Sequence, residues 1–299
     1  MRYQINSKRH LLEQGGRMVA AVFLMLGLAV PAALAGDVAP ASADKHAAAV
    51  RVLRDVAYGA DARQRFDVYL PAKPTGPVLF MVHGGAWVVG DKAAAGVVKN
   101  KVDHWVREAG YVLVSTNYRM LPKAAPLEQA RDVARALALA QKKAGSWGAD
   151  PGRFVLMGHS AGAHLVTLLN ASPSLATELG ARPWRAAVSL DSAALDVEQL
   201  MQAPHPRLYD RAFGKNPEDW RAASPYHQLT AAAPPLLMVC SSRRREACPE
   251  AHHLERKAST LHLRITIWEQ DLSHGDISST LGAPGEYTRS VALWIRSNL

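Results

Sequence analysis

The stretch Phe154-Val155-Leu156-Met157-Gly158-His159-Ser160-Ala161-Gly162 decides the fold of this chain. Its four leading apolar residues predict a short buried strand, and the alanine- and leucine-rich segment after Ser160 predicts a helix that runs to Leu169. A serine in a Gly-x-Ser-x-Gly turn between a strand and a helix stands where a nucleophile is presented to solvent. Glycines 158 and 162 would leave room for a turn tight enough to hold the Ser160 hydroxyl over the end of the sheet.

On both sides of this stretch, apolar runs alternate with helical patterns, which predicts βαβ units and a mainly parallel sheet. The predicted strands are 65–70, 78–82, 111–116, 154–157, 185–190, 236–240 and 263–268. The predicted helices are 97–109, 126–144, 161–169, 249–259 and 286–297. The interval 197–230 contains four prolines and breaks the alternation, so we expect a small insertion above the sheet, a lid or a pocket wall.

A second motif, His83-Gly84-Gly85-Ala86-Trp87, directly follows the predicted strand 78–82. Attack of a serine on an ester carbonyl creates an oxyanion, which needs preorganised hydrogen-bond donors. Glycine lets a backbone N–H approach a substrate closely. We therefore expect the N–H of Gly84 or Gly85, together with that of Ala161, to form an oxyanion hole, with His83 organising the loop.

The N-terminus has the pattern of an export signal. Basic residues precede the apolar run 18–30, which Pro31 ends, and Ala33-Leu34-Ala35 offers small residues for cleavage. The run is shorter than the about 20 residues that a spanning helix needs. We expect a signal peptide at 1–35, an alanine-rich tether at 36–50 and a catalytic domain at 51–299, with export to the periplasm or medium and no stable membrane anchor after cleavage. An uncleaved N-terminal anchor is the alternative.

The composition is that of a globular protein, with 299 residues, 48% apolar and 20% charged. The net charge of +9 is spread along the chain rather than clustered, which indicates a basic surface and no nucleic-acid partner. The two cysteines, Cys240 and Cys248, are expected to form a disulfide in an exported protein. Oligomeric state cannot be read from the sequence.

Together the two motifs resemble those of the α/β-hydrolase superfamily, and within it the HGG-motif carboxylesterases, both the hormone-sensitive-lipase-like group and the feruloyl or acetyl-xylan esterase-like group. Asn117-Tyr118-Arg119 and Gly148-Ala149-Asp150-Pro151 are also similar to that family. The resemblance implies an α/β-hydrolase fold, a mostly parallel twisted sheet flanked by helices, with the 197–230 insertion between its sixth and seventh strands. It specifies neither substrate nor cofactor.

The resemblance also implies a catalytic histidine after the last strand, and His274 stands there. His164, one helical turn after Ser160, is expected to be a hydrogen-bonded core residue instead. The family acid usually follows the strand at 236–240, where Glu246 is the only carboxylate before Cys248. We therefore expect Glu246 to support His274, in a loop closed by the disulfide. Asp191, after the strand 185–190, is the alternative acid, and Asp271 is a more distant one.

These residues predict a serine hydrolase that acts on small-molecule carboxylic esters through an acyl-enzyme on Ser160, with His274 as the base. No metal or organic cofactor is implied, and the adjacent His252 and His253 face different directions on a helix. An arylformamidase or amidase is an alternative that shares this machinery. A non-catalytic binding protein with a hydrolase fold is a second alternative, prompted by the unusual acid loop.

Overall fold

Eight strands form one sheet in the order β1-β2-β4-β3-β5-β6-β7-β8. The computed structural model of the protein describes residues 49–299. The strands are β1 (Arg51–Ala57), β2 (Arg65–Leu70), β3 (Val78–Val82), β4 (Val112–Thr116), β5 (Phe154–His159), β6 (Ala186–Leu190), β7 (Leu236–Ser241) and β8 (Ile265–Gln270). The strand β2 is antiparallel to β1 and β4, and all later pairings are parallel. The expected α/β-hydrolase architecture is thereby confirmed.

Helices cover both faces of the sheet. They are α1 (Ala95–Lys101), α2 (Pro126–Lys143), α3 (Ala161–Ala171), α4 (Ser174–Thr177), α5 (Val197–Gln202), α6 (Arg207–Phe213), α7 (Pro217–Ala222), α8 (Pro225–Gln228), α9 (Ala247–Thr260), α10 (His274–Ser279) and α11 (Glu286–Ser297). Side chains of α2, α3 and α9 pack on one face, and those of α1, α10 and α11 pack on the other. Because both faces are covered, β3 and the first five residues of β5 are buried without alternation.

The structure departs from the sequence-based elements most clearly at β1 and at the predicted helix 97–109, and the short helices α4 and α10 were not predicted either. The edge strand β1 was not predicted, because its residues are mostly exposed and it pairs only with β2. The predicted helix 97–109 starts earlier, at Ala95, and changes from α1 to a π-helical segment at Val102–Glu108. The N–H of Ala109 accordingly bonds the carbonyl of His104, five residues back.

The irregular interval between β6 and β7 folds into four short helices, α5 to α8. Asp196, Asn216 and Ser224 cap three of them by accepting a backbone N–H. Tyr209 and Phe213 of α6 bury their rings against Trp87, at centroid distances of 6.0 and 5.0 Å. The insertion therefore packs on the loop that follows β3 and forms a wall over the carboxyl end of the sheet.

The predicted signal peptide at 1–35, and all but the last two residues of the predicted tether at 36–50, lie outside the described residues. Within residues 49–299, no helix combines the length and the apolar character that crossing a membrane requires.

Candidate active site

Ser160 lies at the turn from β5 to α3 with φ +55° and ψ −118°, a strained conformation for a residue with a side chain. A Cβ on Gly158 would lie 2.2 Å from the carbonyl oxygen of Gly162, and one on Gly162 would lie 2.3 Å from that of Val82. Both neighbours are backbone atoms, which cannot move aside. The prediction that these two glycines make room for the turn is confirmed.

His274 lies between Ser160 and Asp191. Its Nε2 is 2.9 Å from Oγ of Ser160, and its Nδ1 is 2.6 Å from Oδ2 of Asp191. Asp191 is buried, so the carboxylate fixes the tautomer in which Nδ1–H donates to it and Nε2 accepts the serine proton. The three side chains have the connectivity that moves a proton off a serine hydroxyl.

The prediction that Glu246 is the catalytic acid is wrong. Glu246 is exposed at the start of α9 and does not contact His274. Asp271, the third candidate, is also exposed and pairs with Arg243. Asp191, the alternative, occupies the position, because β6 pairs with β5 in a register that aligns Leu190 with His159. The residue after β6 is thereby placed beside the nucleophile turn.

Three groups keep Asp191 ionised. Burial by itself would raise the pKa of this carboxyl, but hydrogen bonds from His274, from the backbone N–H of Ser241 and from Arg244 hold the pKa below its ordinary value. Ser241 N lies 2.8 Å from Oδ1, and Nη1 of Arg244 lies 2.9 Å from Oδ2. Nη1 of Arg244 is also 3.1 Å from Nδ1 of His274, so two donors converge on one carboxylate oxygen.

Of the expected oxyanion donors, Gly85 and Ala161 line the cavity that holds Ser160. Ala161 is the first residue of α3 and has no acceptor within its helix. Within residues 49–299, neither of these N–H groups is taken up by another acceptor. Gly84 lies against the turn, where a Cβ would come 2.9 Å from that of Ser160. Gly84 thus has a packing role here, and Gly85 and Ala161 are the expected donor residues that line the cavity beside Ser160.

Two other histidines have structural positions. His83 is fully buried, donates from Nδ1 to the carbonyl of Gly84 at 2.7 Å and stacks on Tyr118. His164 accepts from Nε1 of Trp87 at 3.2 Å and donates to the carbonyl of Ala223 at 2.8 Å. Burial lowers the pKa of each to about 4, which keeps both neutral. The expectation that His164 is a hydrogen-bonded core residue is confirmed.

Sequence reasoning missed two groups that touch the catalytic set. His159 donates from Nε2 to the backbone carbonyl of His274 at 2.8 Å, and burial, with repulsion from His274, lowers the pKa of His159 to about 4. Arg244 belongs to the basic run 243–245 beside Glu246, for which the composition predicts only a basic surface. The position of His159 next to Ser160 was a signal for the first, whereas the sequence held no signal for the second.

The disulfide Cys240–Cys248 is present and confirms the predicted pairing, with a Cα–Cα distance of 5.2 Å. It joins the end of β7 to α9 and closes the loop that carries Ser241 and Arg244. The bridge therefore supports Asp191 through those two residues, and not Glu246 as expected.

A cavity of about 1060 Å³ opens above Ser160. Apolar groups from the loop after β3, Trp87, Val88 and Val89, form one side. The insertion helix α6 forms another with Arg207, Leu208, Tyr209 and Arg211. Within residues 49–299, no group of three or more His, Cys, Asp or Glu side chains could hold a metal ion.

Comparison with known proteins identifies the family of the chain. The BD-FAE family model matches residues 66–245. Esterase LipC of Mycobacterium tuberculosis is 32% identical over 210 residues, which cover 64% of this chain and 50% of LipC. Isoprenylcysteine alpha-carbonyl methylesterase ICME of Arabidopsis thaliana is 32% identical over 117 residues, covering 38% of this chain and 26% of that protein. The chain thus spans between about a quarter and a half of these relatives.

Two solved structures share the fold. Esterase B from Lactobacillus Rhamnosis has a TM-score of 0.67 at 20% identity, covering 83% of this chain and 84% of its own. A truncated carbohydrate esterase from gut microbiota has a TM-score of 0.68 at 16% identity, covering 84% of this chain and 97% of its own. The family match spans more than half of the chain, from β2 to the loop after β7. The chain therefore belongs to the BD-FAE family and has an α/β-hydrolase fold.

Proposed function

We propose that the protein is a serine hydrolase that cleaves carboxylic esters of small molecules. The observation that carries the proposal is the chain of contacts from Ser160 through His274 to Asp191, at the floor of an open cavity. The esterase names of the relatives support the same reaction class. With Asp191 in the acid position, the reason for considering a non-catalytic binding protein, an acid loop without aspartate, no longer applies.

In the proposed reaction, His274 takes the proton of Ser160 as Oγ attacks the ester carbonyl. The N–H groups of Gly85 and Ala161 hold the oxyanion, and Asp191 stabilises the imidazolium. The C–O bond then breaks, and the alcohol leaves with the proton from His274. Water, deprotonated by His274, attacks the acyl-enzyme and releases the acid, which returns the serine to its starting state.

The test is hydrolysis of p-nitrophenyl acetate and butyrate by the purified protein, beside Ser160→Ala. We expect kcat to fall by about 10³-fold or more in the variant, because the nucleophile is gone. A fluorophosphonate probe should label the wild type and not the variant. Equal turnover by the two proteins, or labelling that persists in Ser160→Ala, would contradict the proposal.

We further propose that the protein is exported. The basic leader, the apolar run 18–30 and the Ala33-Leu34-Ala35 site support a cleaved signal. The Cys240–Cys248 disulfide is consistent with an oxidising compartment. Expression of the full chain in a bacterium, followed by N-terminal sequencing of the periplasmic protein, tests this. A protein that stays in the cytoplasm with Met1 or Arg2 at its start would contradict it.

A further inference from the structure

The wall of the active-site cavity is cationic. Three of its side chains are arginines, Arg207, Arg211 and Arg244, and one is a carboxylate, Asp191. Arg244 and Asp191 form an ion pair at 2.9 Å, so their charges compensate each other. The charges of Arg207 and Arg211 remain uncompensated, because within residues 49–299 neither guanidinium forms an ion pair or a hydrogen bond.

These two arginines stand four residues apart on α6, so both lie on the side of the helix that faces the cavity. Like charges at this spacing repel each other and lower helix stability slightly. Asp210, the acidic residue of α6, forms no ion pair with either arginine within the described residues, and its carboxylate lies 3.1 Å from Nε2 of His205. A guanidinium presents several donors in a planar fork that fits carboxylate and phosphate oxygens.

Part of the wall is apolar. Trp87 is buried, whereas Val89 and Leu208 keep 61% and 41% of their surface exposed at the cavity. An ester that fills this space would therefore place an apolar body near Trp87 and Ser160 and meet positive charge on α6.

From this arrangement we infer the substrate class of the proposed hydrolase: esters that carry an anionic group, a carboxylate or a phosphate, at a distance from the scissile bond. The anion would bind the guanidinium groups of Arg207 and Arg211. This inference rests on the proposed function, since it concerns the ester that Ser160 attacks. It assigns a specificity role to α6, and the reaction itself does not require that role.

The experiment compares esters in matched pairs. Mono-p-nitrophenyl glutarate against p-nitrophenyl valerate tests an anion on the acyl side. On the alcohol side, 4-acetoxybenzoate and 4-acetoxyphenyl phosphate are each compared with neutral 4-acetoxybenzamide. For each pair, the ratio of kcat/KM, anionic to neutral, is measured in wild type and in the double variant Arg207→Gln/Arg211→Gln. Comparing ratios cancels the intrinsic reactivities of the esters.

We expect the double variant to lower the ratio about fivefold for at least one pair, since each exposed ion pair contributes up to about a factor of five. Raising NaCl to about 0.5 M should lower the anionic-to-neutral ratio of kcat/KM in wild type, because salt screens the attraction between the arginines and the anion. Lys215→Gln is the matched control, because Lys215 is an exposed cation of the same insertion outside the cavity wall. It should change no ratio.

Ratios that stay within twofold in the double variant for every pair would overturn the inference. An equal fall in Lys215→Gln would also overturn it, because the effect would then come from overall charge. Failure of the proposed function looks different: no ester, neutral or anionic, would then be hydrolysed faster by wild type than by Ser160→Ala.

Discussion

Asp191 is the residue on which the catalytic geometry depends. It is buried, yet it accepts hydrogen bonds from His274, Ser241 and Arg244, which repay the cost of burying a carboxylate. Its backbone has φ +59°, a left-handed conformation that an aspartate tolerates better than most residues. Strain of this kind, next to that of Ser160, is typical of a site held by its surroundings.

Asp191→Asn should lower kcat for p-nitrophenyl butyrate by about 10³- to 10⁴-fold, because an amide cannot hold the required tautomer or stabilise the imidazolium. Glu246→Gln makes the same chemical change on an exposed residue that does not contact His274, and should leave kcat within about twofold. Steady-state kinetics of both variants measures the difference. A larger loss of kcat in Glu246→Gln would instead identify Glu246, in the loop after β7, as the catalytic acid.

At the scale of elements, the segment from β7 to α9 supports the catalytic residues through contacts with Asp191. Two of its residues, Ser241 and Arg244, donate hydrogen bonds to Asp191. The Cys240–Cys248 disulfide joins the two ends of this segment. The three arginines of the basic run 243–245 therefore have different surroundings. Arg243 pairs with exposed Asp271, Arg245 is exposed, and Arg244 turns inward to Asp191.

Arg244→Gln should lower kcat about tenfold, because Asp191 loses a charged donor and its carboxyl pKa rises toward the ordinary range. Arg245→Gln, the neighbouring change on an exposed side chain, is the control and should leave kcat unchanged. The kinetic assay is that used for Asp191→Asn. Equal effects in the two variants would mean that the contact of Arg244 with Asp191 has no catalytic consequence.

Removing the disulfide by Cys240→Ala/Cys248→Ala should lower the free energy of unfolding by about 2–3 kcal/mol, the entropy of closing a loop of this length. We also expect kcat to fall, because the loop that carries Arg244 is less constrained. Urea denaturation and steady-state kinetics of the variant measure the two effects. If stability falls while kcat is unchanged, the bridge is structural only, and the coupling to Asp191 is disproved.

For the whole molecule, an unusual feature is a lysine between the helices that cover one face of the sheet. Lys101 is 1% exposed, at the end of α1, and Nζ donates to the carbonyl of Ser278 in α10 at 2.7 Å. Within residues 49–299 its side-chain hydrogen bonds are to Ser278, and no carboxylate pairs with it. Burial lowers the pKa of Lys101 to about 7, whereas the unfolded chain keeps it near the ordinary value of 10.5.

The sign of the resulting pH dependence follows from proton counting. Between pH 7 and 9 the unfolded chain binds a proton at Lys101 that the folded protein releases, so this residue makes stability rise with pH, by about 2 kcal/mol over that range. Lys101→Met should remove the rise, and Lys99→Met, on an exposed residue of the same helix, should keep it. Urea denaturation at pH 7, 8 and 9 measures the slopes. The same slope in Lys101→Met and wild type would contradict the assignment.

Much of this protein follows from its sequence, because the signals are local. The apolar run before Gly158 and the glycines of the two motifs specify a strand, a turn and a helix through the backbone conformations they allow. The prediction of helix 286–297 matches α11 without change of bounds. The candidate nucleophile and the HGG loop are likewise local, since a strand end and a glycine turn are sufficient to identify them.

Only the tertiary structure decided three features of the site: which carboxylate is the acid, how the arginines 243–245 are oriented, and that the cavity wall is cationic. Periodicity gives the order of strands along the chain, but it does not say that β6 lies beside β5, which brings Asp191 to His274. Glu246 has the right chemistry and the expected place in the sequence. The start of α9 leaves it in solvent, because the direction of a side chain in a loop depends on contacts distant in sequence.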